Sequence, residues 1–433
     1  MRWSRLRKVS EYKMTRLPTR PAPPMFVVRQ RIDEQFISDP LDDLRKRLKD
    51  FPLSKKVKPG QHIAITAGSR GMPGFDDMLR VIVEMVRECG GEPFLVPAMG
   101  SHGGATAKGQ ISVLAAEGIT EDTIGVPIRA TMETISYGRA SNGAEAYFDR
   151  NAAEADGVIV LAAVKLHSEL RDDIASGLCK MTAIGLGKQR GAQQAHVLGL
   201  YESIKAVSSV TLQRGNITAG VAVVFNAKQQ PAKIAVIPPD QFYQTDRHFL
   251  QIYKQLHPRI PFDELDVLVV DWMGKNISGS GMDPSIIGWW RLNGGDQRPN
   301  YRRVVVLNIT PESLGNAIGI GMADFTTERL VHQVDWETTY INILTANYPD
   351  RRPQYGMRPL PLACDREAIE AALHSADPLL TNPMPRIVRC RATNHVEELL
   401  LSEGLLDEAK ANPNLEILSK PEPWPYDAAG NLI

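Results

Sequence analysis

The sequence predicts two α/β domains with mainly parallel sheets and an interdomain active-site cleft. Three observations lead there. The chain has 433 residues, more than one hydrophobic core usually serves and a fair length for two. Short apolar runs alternate with amphipathic stretches of helical length, the pattern of βαβ units. Its 34 Gly and 30 Pro residues punctuate the whole chain, which excludes a long coiled coil or a helical solenoid.

The elements follow in order. Residues 1–35 read as an irregular N-terminal arm, because Pro18, Pro21, Pro23 and Pro24 interrupt regular structure. An N-terminal α/β domain is expected over 36–255. Leu41–Lys49 has helical spacing, and His62–Thr66 (HIAIT) is a buried strand. Asp76–Cys89 is an amphipathic helix stopped by Gly90-Gly91. Pro93–Pro97 (PFLVP) is the next strand, and Thr106 is placed to cap a helix running to Glu117. Gly157–Ala163, Ala219–Phe225 and Lys233–Ile237 are further strands. The long amphipathic stretch Pro239–Leu256 is a helix and a candidate hinge, with the boundary near 240–265. A C-terminal α/β domain is expected over 256–433, starting with strands Asp266–Asp271 and Arg303–Ile309 and a helical stretch at Thr338–Ala346. The Pro-rich tail KPEPWPYDAAGNLI is expected to lie over the surface.

Composition excludes several classes. Lys+Arg is 50 and Asp+Glu is 50, so the basic excess of a nucleic-acid binder is missing. The longest apolar runs fall far short of the ~20 residues of a membrane span. The basic N-terminal stretch lacks the apolar core of a secretory signal. Cysteines at 89, 179, 364 and 390 have neither finger nor cluster spacing, and the expected setting is a reducing, cytoplasmic compartment.

In open α/β sheets ligands bind beyond the carboxyl ends of strands, so the loops there hold the candidates. After HIAIT comes Ala67-Gly68-Ser69-Arg70-Gly71, where Arg70 can grip a carboxylate with two hydrogen bonds. After PFLVP comes Gly100-Ser101-His102-Gly103-Gly104, a histidine in a glycine-rich turn before a helix, suited to proton transfer. His167 follows the third strand. Lys180 lies in the small, apolar setting SGLCKM, where burial would favour the free amine. His196, sixteen residues on, is a candidate metal ligand. In the second domain, Lys275 and Asn276 sit in the Gly-rich loop after DVLVVD and are candidates to face a ligand across the cleft. Read singly, each residue has an ordinary alternative: a surface Arg, a packed His, a snorkelling Lys.

Taken together, the ordered set resembles the nickel-pincer lactate racemase family. The set is Arg70, His102, His167, Lys180 and His196, at spacings of 32, 65, 13 and 16 residues. The resemblance spans residues 60–200, with the run SGLCKMTAIGLGKQRGAQQAH as its densest part. It implies a cofactor, the nickel-pincer nucleotide (Ni-pyridinium-3,5-bisthiocarboxylic acid mononucleotide), tethered to Lys180, with His196 as the protein's nickel ligand. The cofactor's two sulfurs and one carbon would complete a square-planar site. It implies racemisation or epimerisation of a 2-hydroxy acid by hydride transfer through a 2-keto intermediate. His102 and His167 match the paired acid–base histidines, and Arg70 the substrate-binding arginine. Ser176, Gly177 and Lys188 are phosphate-binding candidates on local chemistry. Glu169, Arg171, Asp172 and Asp173, between His167 and Lys180, suit a larger, hydroxylated acid such as a sugar acid. The resemblance implies small-molecule substrate and cofactor maturation enzymes as partners, with no nucleic acid and no membrane; an oligomer stays open. Two alternatives stand beside it: a non-catalytic carboxylate- or nucleotide-binding protein, and an NAD-type oxidoreductase. Against the latter, no GxGxxG follows the first strand and no acidic residue ends the second.

Overall fold

The computed structural model describes residues 18–68, 73–167, 173–257, 259–345 and 353–433. The chain forms two compact α/β units that separate near residue 258. Its strands in chain order begin with β1 (Met25–Gln30), β2 (His62–Ala67), β3 (Glu92–Pro97), β4 (Thr134–Arg139), β5 (Glu145–Asp149), β6 (Gly157–Ala163), β7 (Ile217–Phe225) and β8 (Pro231–Ile237). They continue with β9 (Glu264–Met273), β10 (Asn300–Ile309), β11 (Phe325–Thr327), β12 (Leu360–Leu362), β13 (Ile387–Cys390), β14 (Glu398–Ser402) and β15 (Leu415–Ile417).

The first unit carries a five-stranded sheet in the order β3-β2-β6-β7-β8. All its ladders are parallel except the last, β7 with β8. Side chains alternate across it as a pleated strand requires. Ile63, Ile65, Ile159 and Leu161 face one core with Met78, Leu79 and Ile82 of the helix Phe75–Glu88. Ala64, Val96, Val158 and Val160 face the other with Leu178, Ile204, Phe242 and Leu250. Because both faces are covered, the strands read as nearly continuous apolar runs. The hairpin β4–β5 stands apart as a two-stranded sheet.

The second unit carries an eight-stranded sheet in the order β12-β11-β10-β9-β13-β14-β1-β15. It is parallel from β12 to β13 and antiparallel beyond. Val267, Val269, Val305 and Leu307 pack against Ala368, Ile369 and Ala372 of the helix Asp365–Ala376.

Two expectations from sequence change here. The arm assigned to residues 1–35 is not irregular throughout: its prolines stop at Pro24, and Met25–Gln30 is an internal strand, with Met25 opposite Ser402 and Val28 opposite Ile417. Phe26 and Val28 alternate into the core at 0% exposure. This stretch therefore belongs to the second unit, and the tail is tied to it by Trp424 Nε1–H donating to the Pro23 carbonyl at 2.8 Å. The long helix, Phe242–Leu256, is not a hinge. Phe242, Phe249 and Leu250 are built into the first unit's core. Among the described residues, no helix is long and apolar enough to cross a membrane.

Candidate active site

The connections around β2 and β6 create the site. β2 leads through the helix Phe75–Glu88 to β3 on one face, whereas β6 leads through Leu178–Lys180 and Leu200–Arg214 to β7 on the other. Neighbouring parallel strands whose connections part to opposite faces leave a crevice at their carboxyl ends. Arg70, in the loop after β2, lies outside the described residues. His102 leaves the end of β3 and His167 the end of β6, one on each side of β2. At ~4.8 Å per strand step, the two histidine strands are about 10 Å apart.

The His102 loop is tightly specified. Gly100, Gly103, Gly104 and Ala105 all have φ between +54° and +67°. Gly103 and Gly109 press together so closely that a Cβ on Gly109 would lie 1.8 Å from the Gly103 carbonyl oxygen. Thr106 caps the following helix, accepting from Gly109 N at 3.0 Å, as its position in the sequence suggested. The His102 Nδ1 lies 2.8 Å from the Met99 carbonyl. A carbonyl only accepts, so Nδ1 carries the hydrogen and the neutral ring holds its lone pair on Nε2.

Lys180 and His196 occupy a broken helical run. Leu178–Lys180 is followed by a π-turn, Met181–Gly185, and then by the helix Lys188–Val197. A straight helix would hold Lys180 and His196 about 24 Å apart. The break is at Lys188, whose φ is +55°. Beyond it the chain doubles back: a Cβ on Gly191 would lie 3.1 Å from the Ala183 carbonyl oxygen, eight residues earlier. Lys180 and His196 are both half-buried. Among the described residues, no three His, Cys, Asp or Glu side chains converge to hold a metal ion.

Two of the phosphate candidates, Lys188 and Gly177, are engaged within the chain itself. Lys188 is wholly buried, and its Nζ donates to the Pro97 carbonyl and to Gln110 Oε1 at 3.0 Å, with Asp149 Oδ2 at 2.9 Å. Those three oxygens account for an ammonium's three donors, which corrects the expectation that Lys188 binds phosphate. Burial draws the Lys188 pKa down and pushes that of Asp149 up, each partly offset by the other's charge. Ser176 exchanges backbone hydrogen bonds with Lys165 at 3.1 and 3.2 Å. Gly177 makes room for a carboxylate of the chain itself: a Cβ there would lie 2.4 Å from Asp246 Oδ1. Asp246 accepts from Leu178 N and Cys179 N at 2.9 and 2.8 Å, so an internal carboxylate occupies the amide groups that a phosphate would use.

Asp246 gives a pH-dependent expectation. It is fully buried, and desolvation outweighs its two amide donors, pushing its pKa from 3.8 up to about 6. Folding then favours the protonated carboxyl. Its contribution to stability is complete below about pH 4 and lost as pH rises through about 6, a change of about 3 kcal/mol. Urea titrations of the protein, followed by circular dichroism at pH 4.5 and 7.5, should show about 2 kcal/mol of that change in the wild type and none of it in Asp246→Asn. Equal pH dependence in both proteins would refute the assignment.

The remaining candidates are placed as follows. Asp173 accepts from Tyr201 Oη at 2.8 Å and Tyr243 Oη at 2.7 Å, with Arg247 Nε at 3.5 Å. Burial raises its pKa, but those phenols and cations more than offset this and leave it low. Asp173 is thus held by the protein itself, and Glu169, Arg171 and Asp172 lie outside the described residues. In the second unit, Lys275 Nζ donates within its own domain to the Gly279 carbonyl and Asn342 Oδ1, and Asn276 Oδ1 accepts from Thr310 Oγ1 at 2.7 Å. Both side chains shape their own loop in this structure.

Gln110, Asp149 and Asp246 were missed from sequence. The signal for two of them was periodicity. Gln110 shares a helical face with Leu114, and Asp246 shares one with Phe242 and Leu250, so each is a polar side chain on an apolar stripe.

No family model and no curated protein matches this chain. Solved structures that resemble it include the following two. One is a Thermotoga maritima protein from a structural-genomics consortium, 12% identical over 78% of this chain and 82% of that one, TM-score 0.45. The other is the lactate racemase apoprotein from Thermoanaerobacterium thermosaccharolyticum, 11% identical over 87% of this chain and 90% of that one, TM-score 0.47. At such identities and scores neither likeness distinguishes one function from another.

Proposed function

We propose that this protein is a nickel-pincer-dependent racemase or epimerase of a 2-hydroxy acid, with its chemistry at the carboxyl edge of the first sheet. One observation carries the reading. The strand order puts β3, which leads into His102, and β6, which leads into His167, on opposite sides of β2. Two bases that approach a hydroxyl-bearing carbon from different sides are what a two-way inversion needs.

In this reading Lys180 tethers the cofactor and His196 supplies the protein's ligand to nickel. When bound, the group would act as hydride acceptor and donor. Everything else falls to the chain. Arg70 holds the substrate carboxylate with paired hydrogen bonds. His102, with its lone pair on Nε2 and its Nδ1–H tied to Met99 O, takes the hydroxyl proton of one enantiomer. His167 does so for the other, and in each direction the opposite histidine, protonated, gives its proton to the carbonyl oxygen of the planar 2-keto acid. The run after Lys180 is turned back on itself at Lys188.

The first experiment is intact and peptide mass spectrometry with metal analysis, on protein made alongside the cofactor's maturation enzymes. The expected result is an adduct on the Lys180 peptide and about one nickel per chain, the stoichiometry of a single square-planar site. An unmodified Lys180 without nickel, under conditions that load a known family member, would overturn the proposal in favour of a carboxylate- or nucleotide-binding role. A panel of 2-hydroxy acids followed by chiral chromatography then tests the substrate. Hydroxylated acids such as sugar acids should turn over faster than lactate, and fastest turnover on lactate would reject that part.

A further inference from the structure

We infer that Gln110 and the buried Lys188 ammonium are positioning residues that hold the His102 loop in its working conformation; the inference rests on the reading of His102 as a base. Four consecutive or near-consecutive residues of this loop have left-handed backbone, one of them Ala105, at φ +54°. Glycines take that conformation freely, but at Ala105 it lasts only where the surroundings over-determine it. The surroundings are specific. Gln110, at 0% exposure, donates through Nε2 to the Gly100 carbonyl at 2.9 Å and lies 3.4 Å from the His102 carbonyl. Its Oε1 accepts from Lys188 Nζ at 3.0 Å. Lys188 in turn reaches the carbonyl of Pro97, where β3 ends and the loop begins, and Asp149, where β5 ends. On the other side, Gly100 N donates to the Gly185 carbonyl of the π-turn at 3.1 Å. The loop carrying one base and the run carrying Lys180 and His196 are therefore joined at two points: backbone at Gly185 and side chain at Lys188. Lys188 is itself in left-handed geometry, which carries a cost for a non-glycine residue and places its ammonium under the loop. Neither Gln110 nor Lys188 is placed to touch substrate; both act through the backbone of His102's turn.

The test is Gln110→Met, which keeps the side chain's length and removes both of its links, beside Gln110→Glu, which keeps the contact with Lys188 and removes the donor to the Gly100 carbonyl. Amide hydrogen exchange on the cofactor-free protein reads the loop directly. In both variants, exchange over residues 98–106 should rise about tenfold, as expected for losing one buried hydrogen bond. Exchange in β3 and β6 should stay as in the wild type. In the loaded enzyme, kcat should fall about 10- to 100-fold, as small misplacement of a reacting group implies. KM should stay within about twofold, with the Lys180 adduct retained. Unchanged exchange at 98–106 in a folded Gln110→Met protein would overturn the inference. So would a rise spread evenly over the sheet, which is the mark of a merely structural residue. If wild-type protein takes up no cofactor, the racemase reading fails, while the exchange result still decides whether Gln110 sets the loop.

Discussion

Lys188→Met is expected to destabilise the first domain by about 3–5 kcal/mol, the usual consequence of removing one partner from a buried ion pair. Methionine matches lysine in length and meets the same left-handed backbone, so packing and strain change little. What changes is charge. Asp149, at 0% exposure, would keep its carboxylate with no cation beside it and would have to take up a proton. The carbonyl of Pro97 and the amide of Gln110 would each lose a donor. Adding Asp149→Asn should restore more than half of the loss. Asparagine preserves the helix cap that Asp149 gives Ala152 N, since either residue serves at that position. The molecule has a built-in control for this measurement. Five of the six tryptophans lie beyond residue 259 and the sixth is Trp3, so in a Trp3→Phe background tryptophan emission follows the second domain and circular dichroism follows both. The variant should shift the dichroism transition in urea and leave the tryptophan transition in place. A shift below about 1 kcal/mol, the range of a surface pair, would mean that the buried pair is not as tightly shielded as described.

Lys180→Ala is expected to have the larger effect on activity and almost none on folding. Lys180 is half-buried and ends a single helical turn, while that turn is anchored from its other end by Asp246. The melting temperature should therefore move by no more than about 4 °C. Under the proposed function the amine is the covalent tether, so protein made with the maturation enzymes should carry no adduct. Racemisation should fall by at least about a thousandfold, as for loss of a covalent participant. His196→Ala should separate the two roles by retaining the adduct and losing nickel. Full activity in Lys180→Ala would end the proposal.

The first domain was legible in the sequence because its strands are buried on both faces. An uninterrupted run such as GVIVLAA can hardly be anything but a central strand, and the glycine-rich turns mark where each strand ends. The order of His102, His167, Lys180 and His196 along the chain was visible for the same reason. Less visible was the purpose of polar residues inside apolar helical faces. Gln110 and Asp246 each depart from an amphipathic pattern by one position, and a single departure in a sequence does not say what it meets. Lys188 misled for a related reason: a lysine among glycines after a strand suggests phosphate, and nothing local reveals three internal acceptors drawn from β3, β5 and a helix. Gly177 was singled out for the right feature, the absence of a side chain, but the carboxylate it admits comes from Asp246, far along the chain. The strand β1 was hidden by its neighbours, since four prolines just before it read as an arm and its pairing partners lie at the opposite end of the sequence.

That placement of β1 has a consequence for how the protein is made. Its ladder partners, β14 and β15, follow it in the chain only after the whole first domain. At ordinary elongation rates β1 must therefore wait on the order of tens of seconds for them. In that interval the first domain is fully synthesised and free to fold, because its strands are contiguous in the chain. The second can close its sheet only once β14 and β15 have emerged. Ribosome-stalled chains ending near residue 300 should then hold a protease-resistant first domain alongside a still-digestible Met25–Gln30. Removing β14 and β15 should harm a segment synthesised long before them.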